Sequence, residues 1–315
     1  MNHDPWQIAP APPESRRGAL DLAFAHLDAE RRDVRVLNTL VQIEAGEIDG
    51  DGIWIARRGE VIGGVFVCIK LPGATGLIWP PRTIADAPID RLIESGLGWL
   101  SRQGVRLAQT LVEIDDAAFV APLLRFGFRA VGPLQLHHHD LWPLPEFAPP
   151  PNFRRIACQA FPGPLDPFAV TLARSYEQTL DFPELNDIRT LDEVLEGHRS
   201  GRQRPELWQL ATLDDQPVGV LLLTETELLE GWELSYVGVV PEFRRRGIAR
   251  LLVAAALHIA ANGGATRLDV MVDSRNAPAL QLYQSMDFQR TEQRLVFLAF
   301  LADATASTSS LGEST

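Results

Sequence analysis

The chain has 315 residues, 46% of them hydrophobic and 22% charged, and a formal net charge of −12. That length fits two domains of about 150 residues each, and the composition is that of an ordinary globular protein. The acidic balance argues against a general nucleic-acid binder, which holds phosphates with clustered cations. Lys70 is the only lysine, so the positive charge is almost all arginine, suited to fixed contacts with phosphates. Cys68 and Cys158 sit in apolar, strand-like runs, which points away from a disulfide framework or a cysteine metal site. The first ten residues contain Pro5 and Pro10 and no apolar core, so no secretory signal is read there. No apolar run approaches the roughly 18 residues of a membrane span. The expectation is a cytoplasmic protein, monomer or homodimer, without nucleic-acid or membrane partners.

In the first half, 53–56 and 61–67 read as a hairpin, followed by an apolar stretch at 75–79. His137, His138 and His139 sit in a strand-like run. Only His137 and His139 would share a face, and no third ligand is near, so ordinary strand histidines are expected rather than a metal site. Pro143, Pro145, Pro149, Pro150 and Pro151 then resist helix and central strand, which places a domain boundary near 143–152. The expected domains are 1–145 and 152–303, and 304–315 reads as a disordered tail of small polar residues.

The second half predicts a strand at 153–160, helices at 166–180 and 189–199, and a hairpin at 207–225. A strand at 232–240, a helix at 247–262 and a strand at 267–272 follow. A helix at 277–286 and a final strand pair through Phe300 close the chain. Gly263 and Gly264 stop the long helix. Strand, helix and strand across 233–272 predict a right-handed crossover between parallel strands. The hairpins recur at an offset of about 155 residues, and 123–128 stands against 283–288 at an offset of 160, which suggests duplication of one fold.

The informative stretch is an apolar strand ending at Pro241, then Glu242, Phe243, Arg244, Arg245, Arg246, Gly247, Ile248 and Ala249. A helix opening near Gly247 would present first-turn N–H groups without intrahelical partners, at the positive end of its dipole. Such an end is an anion site, and Gly247 lets a ligand come close to the backbone. Three arginines there oppose the dipole unless a polyanion reverses the sign. A solvated arginine run on an ordinary helix start is the plain alternative.

Arg244-x-x-Gly247-x-Ala249 after a Val-x-Val-Pro strand end resembles the acetyl-CoA pyrophosphate loop of the GNAT superfamily of N-acetyltransferases. Asn276-x-x-Ala279-x-x-Leu282-Tyr283, with Phe288 five residues on, is similar to a later motif of that superfamily. The resemblance implies an α/β fold with a mixed sheet and two tandem GNAT-like domains, the first degenerate, in the layout of the mycothiol synthases. It also implies that main-chain groups of Val237 and Val239 bond the pantetheine arm like an added strand. Amides of Arg245, Arg246, Gly247, Ile248 and Ala249, with Arg244, would hold the pyrophosphate. Tyr283 would be the general acid for the leaving thiolate, and Glu233 the general base, directly or through water. No metal is implied. The activity implied is acetyl transfer from acetyl-CoA to a primary amine of a small molecule or peptide; the rival is a non-catalytic acyl-CoA-binding regulator.

By strand alternation Glu233, Ser235 and Val237 would share one face, with Tyr236 packed on the other. Asn276 followed by Pro278 is a standard helix start, so capping explains it, with or without a cofactor contact. Asp287 stands where the superfamily has glycine and tolerates a left-handed backbone. In the first half no Arg-x-x-Gly-x-Gly/Ala follows 75–79, Asp86 and Asp90 would repel a pyrophosphate, and Leu123 replaces Tyr283. The resemblance implies that this domain buttresses the second or walls its acceptor cleft. Asp181, Glu184 and Asp187 make the expected acceptor region acidic, which favours a cationic amine.

Overall fold

The computed structural model describes residues 5–84, 86–146, 148–186, 188–199, 204–225 and 231–301. The predicted tail at 304–315 and Asp187 lie outside the described residues. The chain forms two compact units, one from residues up to 131 together with those from 295 onward, the other from 132–294. Among the described residues no helix is long and apolar enough to cross a membrane.

The first unit starts with strand β1 (Gln7–Pro10) and helices α1 (Pro13–Ala23) and α2 (Ala29–Glu44). Strands β2 (Ile53–Arg58), β3 (Val61–Leu71) and β4 (Thr75–Thr83) follow, then helix α3 (Ile89–Arg102), strand β5 (Leu107–Glu113) and helix α4 (Ala121–Leu124). Its sheet runs β1-β2-β3-β4-β5, antiparallel until β4 and β5, which pair in parallel over Thr75–Leu77 only. Phe66, Cys68, Ile93 and Leu100 fill one core cluster and Leu20, Val36, Ile53 and Val65 another.

Strand β6 (Arg129–His139) passes from the first unit into the second. Then come β7 (Phe153–Ala157), α5 (Pro167–Ser175), α6 (Leu191–His198), β8 (Gln209–Leu213), β9 (Gln216–Glu225) and β10 (Gly231–Val239). Helix α7 (Ile248–Asn262), strand β11 (Arg267–Asp273), helix α8 (Ala277–Gln284) and strand β12 (Gln289–Phe300) complete the chain. The second unit's sheet reads β6-β11-β10-β9-β8-β7, with β10 and β11 parallel as the crossover rule requires. Residues 295–300 of β12 belong to the first unit, so each unit is completed by the last strand of the other repeat.

Local chemistry explains these elements. Asp166 caps α5, accepting from the Phe168 N–H at 2.8 Å with Pro167 at the first position. Thr190 and Glu193 form a reciprocal capping box on α6. Strand β9 is apolar from Val218 to Leu223 and buried throughout that run, because helices cover both of its faces. Gly264 takes the left-handed conformation that ends α7 (φ 86°), and Asp287 does the same after α8 (φ 63°).

Several boundaries differ from the sequence reading. The first predicted strand and the two helices after it are shorter, and Cys158 lies just beyond β7. The expected closing strand pair is one twelve-residue strand, β12; no turn signal interrupts it. The proline-rich segment 143–152 lies inside the second unit, joining β6 to β7. His137 and His139 are both buried on β6, and among the described residues no three His, Cys, Asp or Glu side chains gather to hold a metal.

Trp208 is fully buried, stacked on Phe168 at 5.6 Å and met edge-on by Phe161 at 5.5 Å. Trp208→Ala is expected to destabilise the protein by about 3–5 kcal/mol, as large-to-small core changes do, measured by urea unfolding.

Candidate active site

Strands β10 and β11 pair only over Gly231–Arg267, Trp232–Leu268 and Glu233–Asp269. Beyond that point they diverge, and a cavity of about 430 Å³ opens between Leu234–Val239 on one strand and Val270–Val272 on the other. Strand β10 carries a bulge between Leu234 and Tyr236, where Ser235 is the extra residue against β9. A bulge bends its strand and raises the local twist, which helps carry β10 away from β11.

The bulge also overturns the expected alternation. Register with β9 pairs Glu233 with Thr224, Tyr236 with Leu222, and Val237 with Leu221, and directly opposed residues share a face. Glu233 and Tyr236 therefore lie on one face, and Val237 lies on the other. Tyr236 is not simple packing: it lines the cavity, and its hydroxyl bonds Ser175 Oγ at 2.9 Å.

The Val240 N–H donates to Val218 on β9, so alternation turns the main-chain groups of Val239 and Val237 toward the gap. The Val239 carbonyl already accepts from Arg244 Nε at 3.0 Å. Helix α7 opens from Gly247 in the left-handed region (φ 79°), with Arg245 also left-handed (φ 63°). The first helical bond there runs from Leu251 N–H to Gly247 C=O, so the N–H groups of 248–250 precede it and lack helical partners. Arg245, Gly247, Ile248, Ala249 and Arg250 border the cavity. This fits a diphosphate: open amides, a dipole end and two arginines.

The other two arginines do something different. The Arg244 guanidinium bonds the carbonyls of Ser175, Glu177 and Gln178 as well as Val239, tying the loop to the C-terminal end of α5. Arg246 lies over the Phe243 ring at 5.0 Å and does not line the cavity. Arg244 thus borders the cavity with its donors on carbonyls, and Arg246 lies outside the lining.

Tyr283 on α8 lines the cavity and is 5% exposed. No hydrogen bond engages its hydroxyl among the described residues. Burial, and then the Asp181 charge, hold that hydroxyl well above its ordinary pKa, so it stays protonated at neutral pH. Asn276 caps α8, accepting from the Ala279 N–H at 3.3 Å, and it also borders the cavity.

Glu233 is absent from the cavity lining. It lies in the paired part of β10, where burial and then Asp269 push its carboxyl upward. The carboxylate that does line the cavity is Asp181. Its Oδ1 accepts from the Asp273 N–H at 2.9 Å. Asp273 is wholly buried; burial works to raise it, but bonds from Arg275 and from the Phe182 N–H outweigh that and keep it low. Glu184 is no open acidic wall, because Arg275 grips both of its oxygens at 2.6 and 2.9 Å. Asp181 is one of the three acidic residues expected near the acceptor, whereas nothing in the sequence marks Arg250 or Met271 as cavity residues. Only the long-range pairing of 181 with 273 shows where that loop folds.

The divergent parallel strands, the following helix start and the tyrosine behind them line one cavity. Residues 172–288 match the acetyltransferase (GNAT) family. A mycothiol acetyltransferase from Nocardiopsis dassonvillei is 30% identical over 161 residues, covering 47% of this chain and 48% of that protein. The matched stretch thus spans about half the length of that relative. A GCN5-related N-acetyltransferase from Sphaerobacter thermophilus has a similar fold (TM-score 0.62, 19% identity, 94% of this chain and 96% of that one). So does a tandem GNAT protein from the clavulanic acid biosynthesis pathway (TM-score 0.55, 12% identity, 94% and 99%). The layout is a tandem GNAT fold.

Two measurements test the supports of the site. Arg244→Ala removes four charge-assisted bonds to carbonyls and is expected to lower stability by about 2 kcal/mol, read as a lower melting temperature. His198, bonded to Tyr176 at 2.9 Å, is pushed down to about 4 by burial and then by Arg189. The unfolded chain, near the ordinary value of 6.5, takes up that proton first. His198 therefore contributes fully above about pH 6.5, and its contribution is lost as pH falls toward 4. The urea midpoint of the wild type should drop over that window by more than that of His198→Gln.

Proposed function

We propose that the repeat at 152–303 transfers an acetyl group from acetyl-CoA to a primary amine of a small molecule or peptide by direct attack. One observation carries this reading. The open start of α7, the unpaired edge of β10 and the unpartnered Tyr283 hydroxyl share a single cavity. The GNAT match and the mycothiol acetyltransferase relative support it.

In this reading the donor's diphosphate lies against the amides of Arg245, Arg246, Gly247, Ile248 and Ala249, with Arg245 and Arg250 adding charge. Arg244 contributes by holding the loop, and Asn276 by fixing the start of α8. The pantetheine arm pairs with the main chain of Val237 and Val239, like a strand added at an open edge. The amine attacks the thioester carbonyl, and Tyr283 gives its proton to the departing sulfur. Glu233 takes the amine's proton through water, since it stands outside the cavity wall; burial and then Asp269 push its carboxyl upward, which makes it a stronger base.

The repeat at 1–145 takes no donor in this reading. Its Arg82 lies 3.2 Å over the Phe119 ring and pairs with Asp116, and Leu123 is fully buried. A release assay for free thiol with acetyl-CoA and an amine panel is the test. Tyr283→Phe should reduce kcat by about 100-fold or more while coenzyme A affinity by calorimetry stays the same. An unchanged kcat removes the acid. Absence of coenzyme A binding to the wild type removes the whole reading.

A further inference from the structure

We propose that Asp181 forms, with the Tyr283 hydroxyl, a binding site for a primary alkylammonium group, so that this protein selects acceptors by their positive charge. The inference rests on the acetyl-transfer reading for its purpose and on the cavity for its chemistry.

Asp181 stands on the segment after α5 and lines the cavity. Its position is fixed from below: Oδ1 accepts from the Asp273 N–H, the Asn276 side chain supports it, and its own N–H donates to Thr179 Oγ1 at 3.1 Å. Its charge, however, has no partner. Arg275 is the cation nearest by bonding, and its fork is spent on Glu184 and Asp273. Two carboxylates, Glu184 and Asp273, thus share one guanidinium, and the third, Asp181, has no ion pair among the described residues.

A negative charge held among Leu180, Val270 and Leu282 in a confined space is costly unless a cation joins it. Burial first, and Asp273 among the lesser causes, raise the carboxyl accordingly, and a bound ammonium would reverse that.

A second, independent observation lies in the same cavity. The hydroxyl of Tyr283, a residue 95% buried by its 5% exposure, has no hydrogen-bond partner although it lines the space. Its oxygen is not sealed off by the protein, so it is open to a group that enters the cavity. The Asp181 charge is felt by both Tyr283 and Tyr236. An –NH3+ group carries three donors and no acceptor, which suits a carboxylate and a hydroxyl oxygen together. Arg245 and Arg250 lie at the α7 end of the same cavity, so its two ends offer opposite charge to the donor's phosphates and to the acceptor.

Titration calorimetry with n-butylammonium and n-hexylammonium chloride at pH 7.5 tests the site without any turnover. Wild type is expected to bind both, and Asp181→Asn to bind them at least tenfold more weakly. Asparagine keeps the oxygen that accepts from Asp273, and an unchanged coenzyme A titration checks the fold. Met271→Arg gives a second reading from a residue that is 44% exposed on the cavity wall. The added cation should also weaken alkylammonium at least tenfold. No binding to the wild type overturns the proposal, as does equal binding to both variants. Alkylammonium binding without thiol release from acetyl-CoA would instead overturn the acetyl-transfer reading and leave this site standing.

Discussion

The parting of β10 from β11 is the constraint on which the rest of the second unit depends. Interior N–H and C=O groups must be bonded, and a central strand that leaves its neighbour after three residue pairs exposes a row of them. The fold covers part of the deficit itself, with Arg244 on the Val239 carbonyl. The remainder borders the cavity, next to helix amides that are also unsatisfied. Two unrelated backbone deficits, one from a strand edge and one from a helix start, thus meet at one place. A ligand with amides at one end and phosphates at the other relieves both.

The elements around that gap are tied together by bonds that each involve a charged side chain. Arg244 joins the loop before α7 to the end of α5. Asp273, at the end of β11, joins the segment of Asp181 and Phe182: its carboxylate accepts from the Phe182 N–H, and its own N–H donates to the Asp181 carboxylate. Arg275 then fixes Glu184 to the same point. A fully buried carboxylate such as Asp273 is tolerated only because each oxygen is bonded and a guanidinium is close. The consequence is that the loop carrying Asp181 is built onto one of the two strands that wall the cavity.

The first unit repeats the architecture without the chemistry. Its β4 and β5 also pair over three residues and no further, and β4 also slips register against β3, between Val65 and Val67. Where the second unit has glycine and open space, the first has Arg82 stacked on Phe119 beside Asp116. The helix after β4 starts at Ile89 behind Pro88 rather than behind a left-handed glycine. Asp86 there is paired with Arg58 at 3.1 Å. The backbone pattern is common to both repeats, and the side chains decide which of them leaves a cavity.

The sequence by itself determined the repeat, the parallel crossover and the helix that opens at Gly247, because these follow from periodicity, glycine and chain connectivity within a few tens of residues. It also placed Tyr283 and the capping role of Asn276, which are local to one helix. Only the tertiary structure decided the side-chain roles. Arg244 and Arg246 read alike in a run of three, yet one is spent on carbonyls contributed by residues 175–178 and the other on a neighbouring ring. Glu233 and Tyr236 came to one face through a single extra residue in β10, which no alternation rule contains. Asp181 became the cavity's carboxylate, and Glu184 did not, because Arg275, some 90 residues away in sequence, is bonded to one and not the other. Such choices depend on which distant groups share a bond, and spacing along a chain carries no record of that.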